Sequence, residues 1–66
     1  MTFNERIKRA VRCNDAKAAG ALADNLRFRA GMTHKEVYRR FQAACPDLTF
    51  ADFDELMREA EDEESV

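Results

Sequence analysis

Three threonines in this chain each stand three residues before a carboxylate, in the pairs Thr2–Glu5, Thr33–Glu36 and Thr49–Asp52. This is the spacing of the capping box. In it, a hydroxyl oxygen accepts a hydrogen bond from a backbone amide at a helix start, and the acidic side chain accepts one from the backbone amide of the capping residue. Apolar residues follow each threonine at helical spacing, as Phe3, Ile7 and Val11 follow Thr2. The pattern therefore predicts three helix starts.

Individual residues also predict where the helices end. Asn14 and Asp15 interrupt the first helix, and both residue types cap a new one well. Gly31 suits the end of a second helix, because it adopts the left-handed conformation without a Cβ clash. Pro46 ends the third, since the residue before a proline is pushed out of helical geometry. Together these signals predict four helical segments.

No segment shows the alternating pattern of a β-strand. We therefore predict an all-α fold, a compact bundle of about four short helices. Residues 1–60 are expected to form a single domain, and the acidic residues 61–66 are expected to fray.

The apolar faces of the four segments define a predicted core. It comprises Phe3, Ile7, Val11, Ala19, Leu22, Leu26, Val37, Phe41, Leu48, Phe53, Leu56 and Met57. Phe28 lies off the apolar stripe of its helix, on the side of Lys17 and Ala21. It is predicted to be either part of a second core face or an exposed aromatic contact.

The composition favours a soluble intracellular domain. Of 66 residues, 45% are hydrophobic and 36% charged, and uncharged runs are short, such as residues 18–23. The charged N-terminal segment has no apolar stretch typical of a secretory signal, so we expect a cytoplasmic protein. Cys13 and Cys45 are expected to be thiols. Together with His34 they are too few to hold zinc, so no metal or cofactor is expected.

The sequence offers little for catalysis. It contains neither a glycine-rich phosphate loop nor a Cys-x-x-Cys motif. The carboxylates after residue 50 are expected to be solvated rather than held in an apolar setting. His34, at the first position of a helix, is predicted to be exposed and without a role. We therefore predict that the protein is not an enzyme.

Charge is unevenly divided along the chain. Residues 1–40 hold ten Lys or Arg and four Asp or Glu, a net charge of +6. Residues 41–66 hold one Arg and nine Asp or Glu, a net charge of −8. Three interpretations follow. The two halves screen each other, the basic half contacts phosphates, or the acidic helix binds a basic protein surface.

Two stretches resemble known DNA-binding folds. Residues 26–41, LRFRAGMTHKEVYRRF, resemble the start of a repressor-type helix-turn-helix domain, through Gly31, Thr33, Glu36 and Val37. Residues 33–56 resemble the helical core of winged-helix regulators. The resemblance implies a helix-turn-helix-like pair in the C-terminal half, joined by residues 45–49. It also implies a recognition helix at 50–61, where this chain is rich in carboxylates that repel phosphates.

The leading hypothesis is a small non-catalytic regulatory module that binds another protein through charged helix faces. The candidate protein-binding residues are Asp52, Asp54, Glu55 and Glu59. The alternative is a small nucleic-acid-binding regulator. Its candidate residues are Arg6, Arg9, Arg12, Arg39 and Arg40. A third possibility is a homo-oligomer that pairs the acidic helix of one copy with the basic face of another.

Overall fold

The computed structural model describes the backbone of residues 1–64 and the side chains of residues 1–62. It contains four helices, α1 (Phe3–Arg12), α2 (Ala16–Arg29), α3 (His34–Ala44) and α4 (Phe50–Glu64). Residues 1–64 contain no strand, so the predicted all-α fold is confirmed. The backbone of α4 is helical through Glu64. The fraying expected for residues 61–66 stays a prediction, and residues 65 and 66 lie outside the described part.

Each predicted threonine cap is present. The Thr2 hydroxyl accepts the Glu5 amide at 3.2 Å, and the Thr49 hydroxyl accepts the Asp52 amide at 3.2 Å. The capping box at the start of α3 is complete. There the Thr33 hydroxyl accepts the backbone amide of residue 36 at 3.3 Å, and the carboxylate of residue 36 accepts the Thr33 amide at 3.1 Å. Threonine hydroxyls thus cap three of the four helix starts.

The predicted breaks are present as well. Asn14 adopts a left-handed φ of 52°, which lets the Asp15 amide reach back to the Ala10 carbonyl at 2.9 Å. The Asp15 side chain then caps α2 by accepting the Ala18 amide at 3.2 Å. Gly31 has a φ of 65°, as expected for a residue that follows a helix end. These two residues with left-handed backbone conformation change the chain direction before and after α2.

The core contains eight of the predicted residues, namely Ile7, Ala19, Val37, Phe41, Leu48, Phe53, Leu56 and Met57. The other four, Phe3, Val11, Leu22 and Leu26, are half-buried and pack against it. Five alanines outside the predicted core are also buried: Ala10, Ala16, Ala23, Ala44 and Ala60. Small side chains therefore supply much of the helix packing.

Helices α2 and α4 pack closely where Gly20 faces Ala60. A Cβ atom built on Gly20 would lie 2.7 Å from the Cβ of Ala60. Real Cβ atoms do not come so near, so a side chain at residue 20 would force the helices apart. Gly20, which weakens α2 as an isolated helix, thereby allows α4 to lie directly against it.

Candidate functional site

Three of the four predicted protein-binding residues line one groove. Asp52, Glu55 and Glu59 recur every three or four residues and so lie on one side of α4. All three are exposed. The apolar lining of the same groove comes from Val11, Leu48 and Leu56, and its volume is about 270 Å³. We call this the acidic groove, defined by these three carboxylates and three apolar residues.

The fourth predicted residue, Asp54, belongs to a different cluster. Its carboxylate accepts from Arg58 Nε at 3.2 Å and lies 3.3 Å from His34 Nε2. It is half-buried, whereas its neighbours Asp52 and Glu55 are exposed. Asp54 therefore joins α4 to the start of α3 and does not line the acidic groove.

His34 is half-buried, whereas the sequence predicts an exposed residue. Its side chain is 40% exposed, and Arg27 Nη2 lies 2.8 Å from its Nδ1. Because a guanidinium only donates, Nδ1 must accept, and the ring proton then sits on Nε2, directed at Asp54. Both ring nitrogens are engaged, so the imidazole bridges α2, α3 and α4. Neither nitrogen is left to act as a base in this arrangement.

The bridging histidine lies within a group of aromatic rings. The His34 ring centroid is 5.7 Å from that of Phe50 and 5.1 Å from that of Phe53. The Tyr38 hydroxyl donates to the Leu48 carbonyl at 2.9 Å, which ties α3 to the loop before α4. These contacts were not predicted, because residues far apart in the sequence make them. Only the four-residue spacing of His34 and Tyr38 on one side of α3 hinted at a shared face.

The predicted nucleic-acid-binding residues are spread over several surfaces. Arg6 and Arg9 both line a groove between α1 and α2. Arg12 lines other grooves, one of which also contains Asp52. Arg39 is exposed on α3.

Arg40 is occupied within the fold. Its Nη1 donates to Asn4 Oδ1 at 2.7 Å, and its guanidinium carbon lies 5.1 Å from the centre of the Phe3 ring. A cation over an aromatic face is attracted by the ring's negative face. Arg40 thus joins α3 to α1. Of the other predicted arginines, Arg6 and Arg9 share one groove, and Arg9 and Arg12 share another.

The groove that contains Arg6 and Arg9 has an apolar interior. Its helical apolar lining is formed by Ala10, Ala18, Ala21 and Leu22, and its volume is about 600 Å³. We call it the basic groove, defined by these four residues and the two arginines. Phe28 lies seven residues beyond Ala21 on α2 and is 84% exposed. Of the two alternatives for Phe28, the structure therefore selects the exposed one.

The pKa of Glu36 is shifted by groups that lie close to it in the sequence. The pKa of Glu36 is lowered by the hydrogen bond from the Thr33 amide, then by the Thr33 hydroxyl, with a further contribution from the Arg39 charge. Cys13 is exposed and Cys45 half-buried, and both are free thiols. Among residues 1–62, no three metal-binding side chains cluster. In the described part of the chain, no helix combines the length and apolarity needed to cross a bilayer.

Comparisons with known proteins give no relative from which a role could be transferred. No known protein family, curated protein or solved structure matches this chain. What distinguishes the molecule is a pair of grooves with apolar linings and rims of opposite charge. One lies beside α4, and the other lies between α1 and α2.

Proposed function

We propose that this protein is a small non-catalytic regulatory module that binds a basic surface of another protein through its acidic groove. The observation that carries the proposal is the placement of Asp52, Glu55 and Glu59 around an apolar lining. Carboxylates on such a rim select a basic partner, and the half-buried Val11 offers apolar surface that a partner can cover.

The charges of this rim are available to a partner. Within the described residues, Asp52, Glu55 and Glu59 have no ion-pair partner. Unpaired carboxylates on one face add their potentials and attract cationic surfaces over several ångströms, more strongly at low salt. Asp54 is left out of the proposed contact, because His34 and Arg58 already occupy its carboxylate.

A helical peptide with alternating stripes of Leu and Lys is a suitable probe for this groove. We expect the full chain to bind the labelled peptide in a fluorescence anisotropy titration, and we expect binding to weaken as salt rises. The double variant Glu55→Lys/Glu59→Lys should weaken it by roughly tenfold at low salt, since it reverses two rim charges.

A matched pair of single variants tests whether the groove, rather than total charge, binds the peptide. Glu59 and Glu61 are both exposed on α4, but Glu59 lines the acidic groove and Glu61 lines a groove on the α2 side. Glu59→Lys and Glu61→Lys change the net charge equally. The proposal requires the larger loss in Glu59→Lys. An equal loss in both variants would mean that the peptide responds only to net charge.

The helix-turn-helix resemblance keeps nucleic-acid binding as the competing function. In that arrangement α4 would be the recognition helix, and it would present Asp52, Glu55 and Glu59 to phosphates that repel them. A gel-shift titration with duplex and single-stranded oligonucleotides separates the two functions. A shift that weakens steeply with salt and is lost in Arg6→Glu/Arg9→Glu would favour nucleic-acid binding. No shift at low salt and micromolar protein would remove it.

A further inference from the structure

We infer that the basic groove is a second docking site, and that its occupant is an acidic amphipathic helix of another protein. This site uses α1 and α2 and shares no residue with the acidic groove. It therefore gives the module a partner of the opposite charge to the one proposed above. The inference stands independently of that proposed function.

The shape of the groove suits a helix. The apolar lining combines the exposed Ala21 and the half-buried Ala18 with the larger, half-buried Leu22, and the buried Ala10 forms its floor. Alanines on adjacent helices leave a trough between them into which apolar side chains of a third helix can insert. Amphipathic helices bind such troughs through residues spaced by three and four positions.

Phe28 extends this surface along α2. It follows Ala21 by two helical turns, and its side chain lines the neighbouring groove between α2 and α4, which also contains Asp24 and Glu61. An aromatic side chain that is 84% exposed on a helix lining both grooves is the kind of residue that anchors partners. A helix lying along the groove toward the end of α2 would cover it.

The rim specifies the charge of the occupant. Arg6 and Arg9 flank the groove, and Lys17 and Arg29 are exposed on the same helix as Phe28. None of these four cations has an ion-pair partner in the part of the chain that the structure describes. Asp15 also lines the groove, but its side chain caps α2. An acidic helix therefore matches both the apolar lining and the net charge of the rim.

A second copy of this chain matches less well. Its acidic helix, α4, buries Leu56, Met57 and Ala60 in its own core. It would bring carboxylates to the groove with few apolar side chains to insert, whereas a partner helix with a free apolar stripe supplies both. Nucleic acid would match the arginines but would leave the alanine-lined trough unfilled.

The probe is a synthetic helix of about 14 residues, which spans roughly four turns, with Leu along one stripe and Glu on either side. We expect the full chain to bind it, with amide NMR shifts concentrated at Ala18, Ala21, Leu22 and Phe28. Ala21→Glu should weaken binding by roughly tenfold or more, because it places a carboxylate in the trough. Phe28→Ala should weaken it by roughly tenfold as well, through loss of the anchor.

Matched controls separate the site from general effects. Ala43 is an exposed alanine on α3, so Ala43→Glu makes the same chemical change away from the groove and should leave binding unchanged. Glu55→Lys/Glu59→Lys should not weaken binding of the acidic peptide, which keeps this test distinct from that of the acidic groove. Circular dichroism melts verify that each variant is folded.

Three kinds of result would overturn the inference. The first is the absence of binding at millimolar peptide, or equal binding by Ala21→Glu and the unchanged chain. The second is self-association of the chain in sedimentation that Ala21→Glu abolishes, which would assign the groove to a second copy. The third is an oligonucleotide gel shift that Ala21→Glu abolishes, which would assign it to nucleic acid.

Discussion

Helix α4 is held by two contacts built in opposite ways. Against α2 it packs through small residues, with Ala60 above Gly20. Against α3 it packs through rings, with the Phe41 and Phe53 centroids 5.2 Å apart. The first contact requires that Gly20 has no side chain, so adding a side chain there should destabilise it. The second depends on large buried side chains, so it is vulnerable to lost volume.

Removing a buried ring should have the largest effect. Phe53 is fully buried and packs against Tyr38 and Phe41, so Phe53→Ala should lower the free energy of unfolding by about 3–5 kcal/mol. A domain of this size has little more stability than that to lose. We expect the variant to show no cooperative thermal transition by circular dichroism.

The matched control for that prediction lies three residues earlier. Phe50 is on the same helix but is 46% exposed, so Phe50→Ala should cost clearly less than Phe53→Ala. Equal melting midpoints for the two variants would show that the buried rings do not dominate the α3–α4 contact.

Adding volume to the other contact comes next in size. Gly20→Ala gains about 1 kcal/mol of helix propensity but places a methyl group against Ala60, and overpacking costs about 1–3 kcal/mol. The net expectation is a loss of about 1 kcal/mol, measured by urea denaturation. In an Ala60→Gly background the same change should be neutral or stabilising, because the clash is gone. A higher midpoint for Gly20→Ala alone would contradict the close approach of α2 and α4.

The contrast between these contacts also explains what the sequence could predict. Helix starts at Thr33 and Thr49 depend on residues three apart, so local spacing sufficed to place them. The burial of Ala60 depends on what lies opposite it, Gly20, which is 40 residues away. The five buried alanines outside the predicted core lie on the apolar faces that helical spacing defines, but that spacing does not show which small residues meet across two helices.

The candidate surfaces were predictable to a similar extent. The three-to-four-residue spacing of Asp52, Glu55 and Glu59 was visible in the sequence, and the structure places them in one groove. The engagement of Asp54 by His34 was not visible, because it needs the start of α3 to lie beside α4. The sequence does not decide whether Phe28 is exposed, since only the positions of the neighbouring helices determine which side of α2 is covered.

A smaller change tests the hydrogen bond that joins α3 to the loop before α4. Tyr38→Phe keeps the ring but removes the hydroxyl that donates to the Leu48 carbonyl, so we expect a loss of about 0.5–1.5 kcal/mol in urea denaturation. Gln42→Ala removes the exposed hydrogen bond to the same hydroxyl and should cost less. A neutral Tyr38→Phe would mean that the ring alone accounts for the contribution of Tyr38.

The smallest expected effect concerns acid and the start of α3, the helix that carries the aromatic contact. The pKa of Glu36 is lower in the folded chain than its ordinary value of 4.5, chiefly through the hydrogen bond from the Thr33 amide. A group with a depressed folded pKa stabilises the fold above its unfolded pKa, and that contribution disappears as pH falls through the folded value. Unfolding midpoints in urea, compared between pH 7 and pH 3, should therefore fall less in Glu36→Gln than in the unchanged chain. Glu55→Gln, which removes an exposed carboxylate outside any capping box, is the control and should keep the full acid sensitivity. If Glu36→Gln and Glu55→Gln lost the same stability in acid, the capping box would not be a source of the pH dependence.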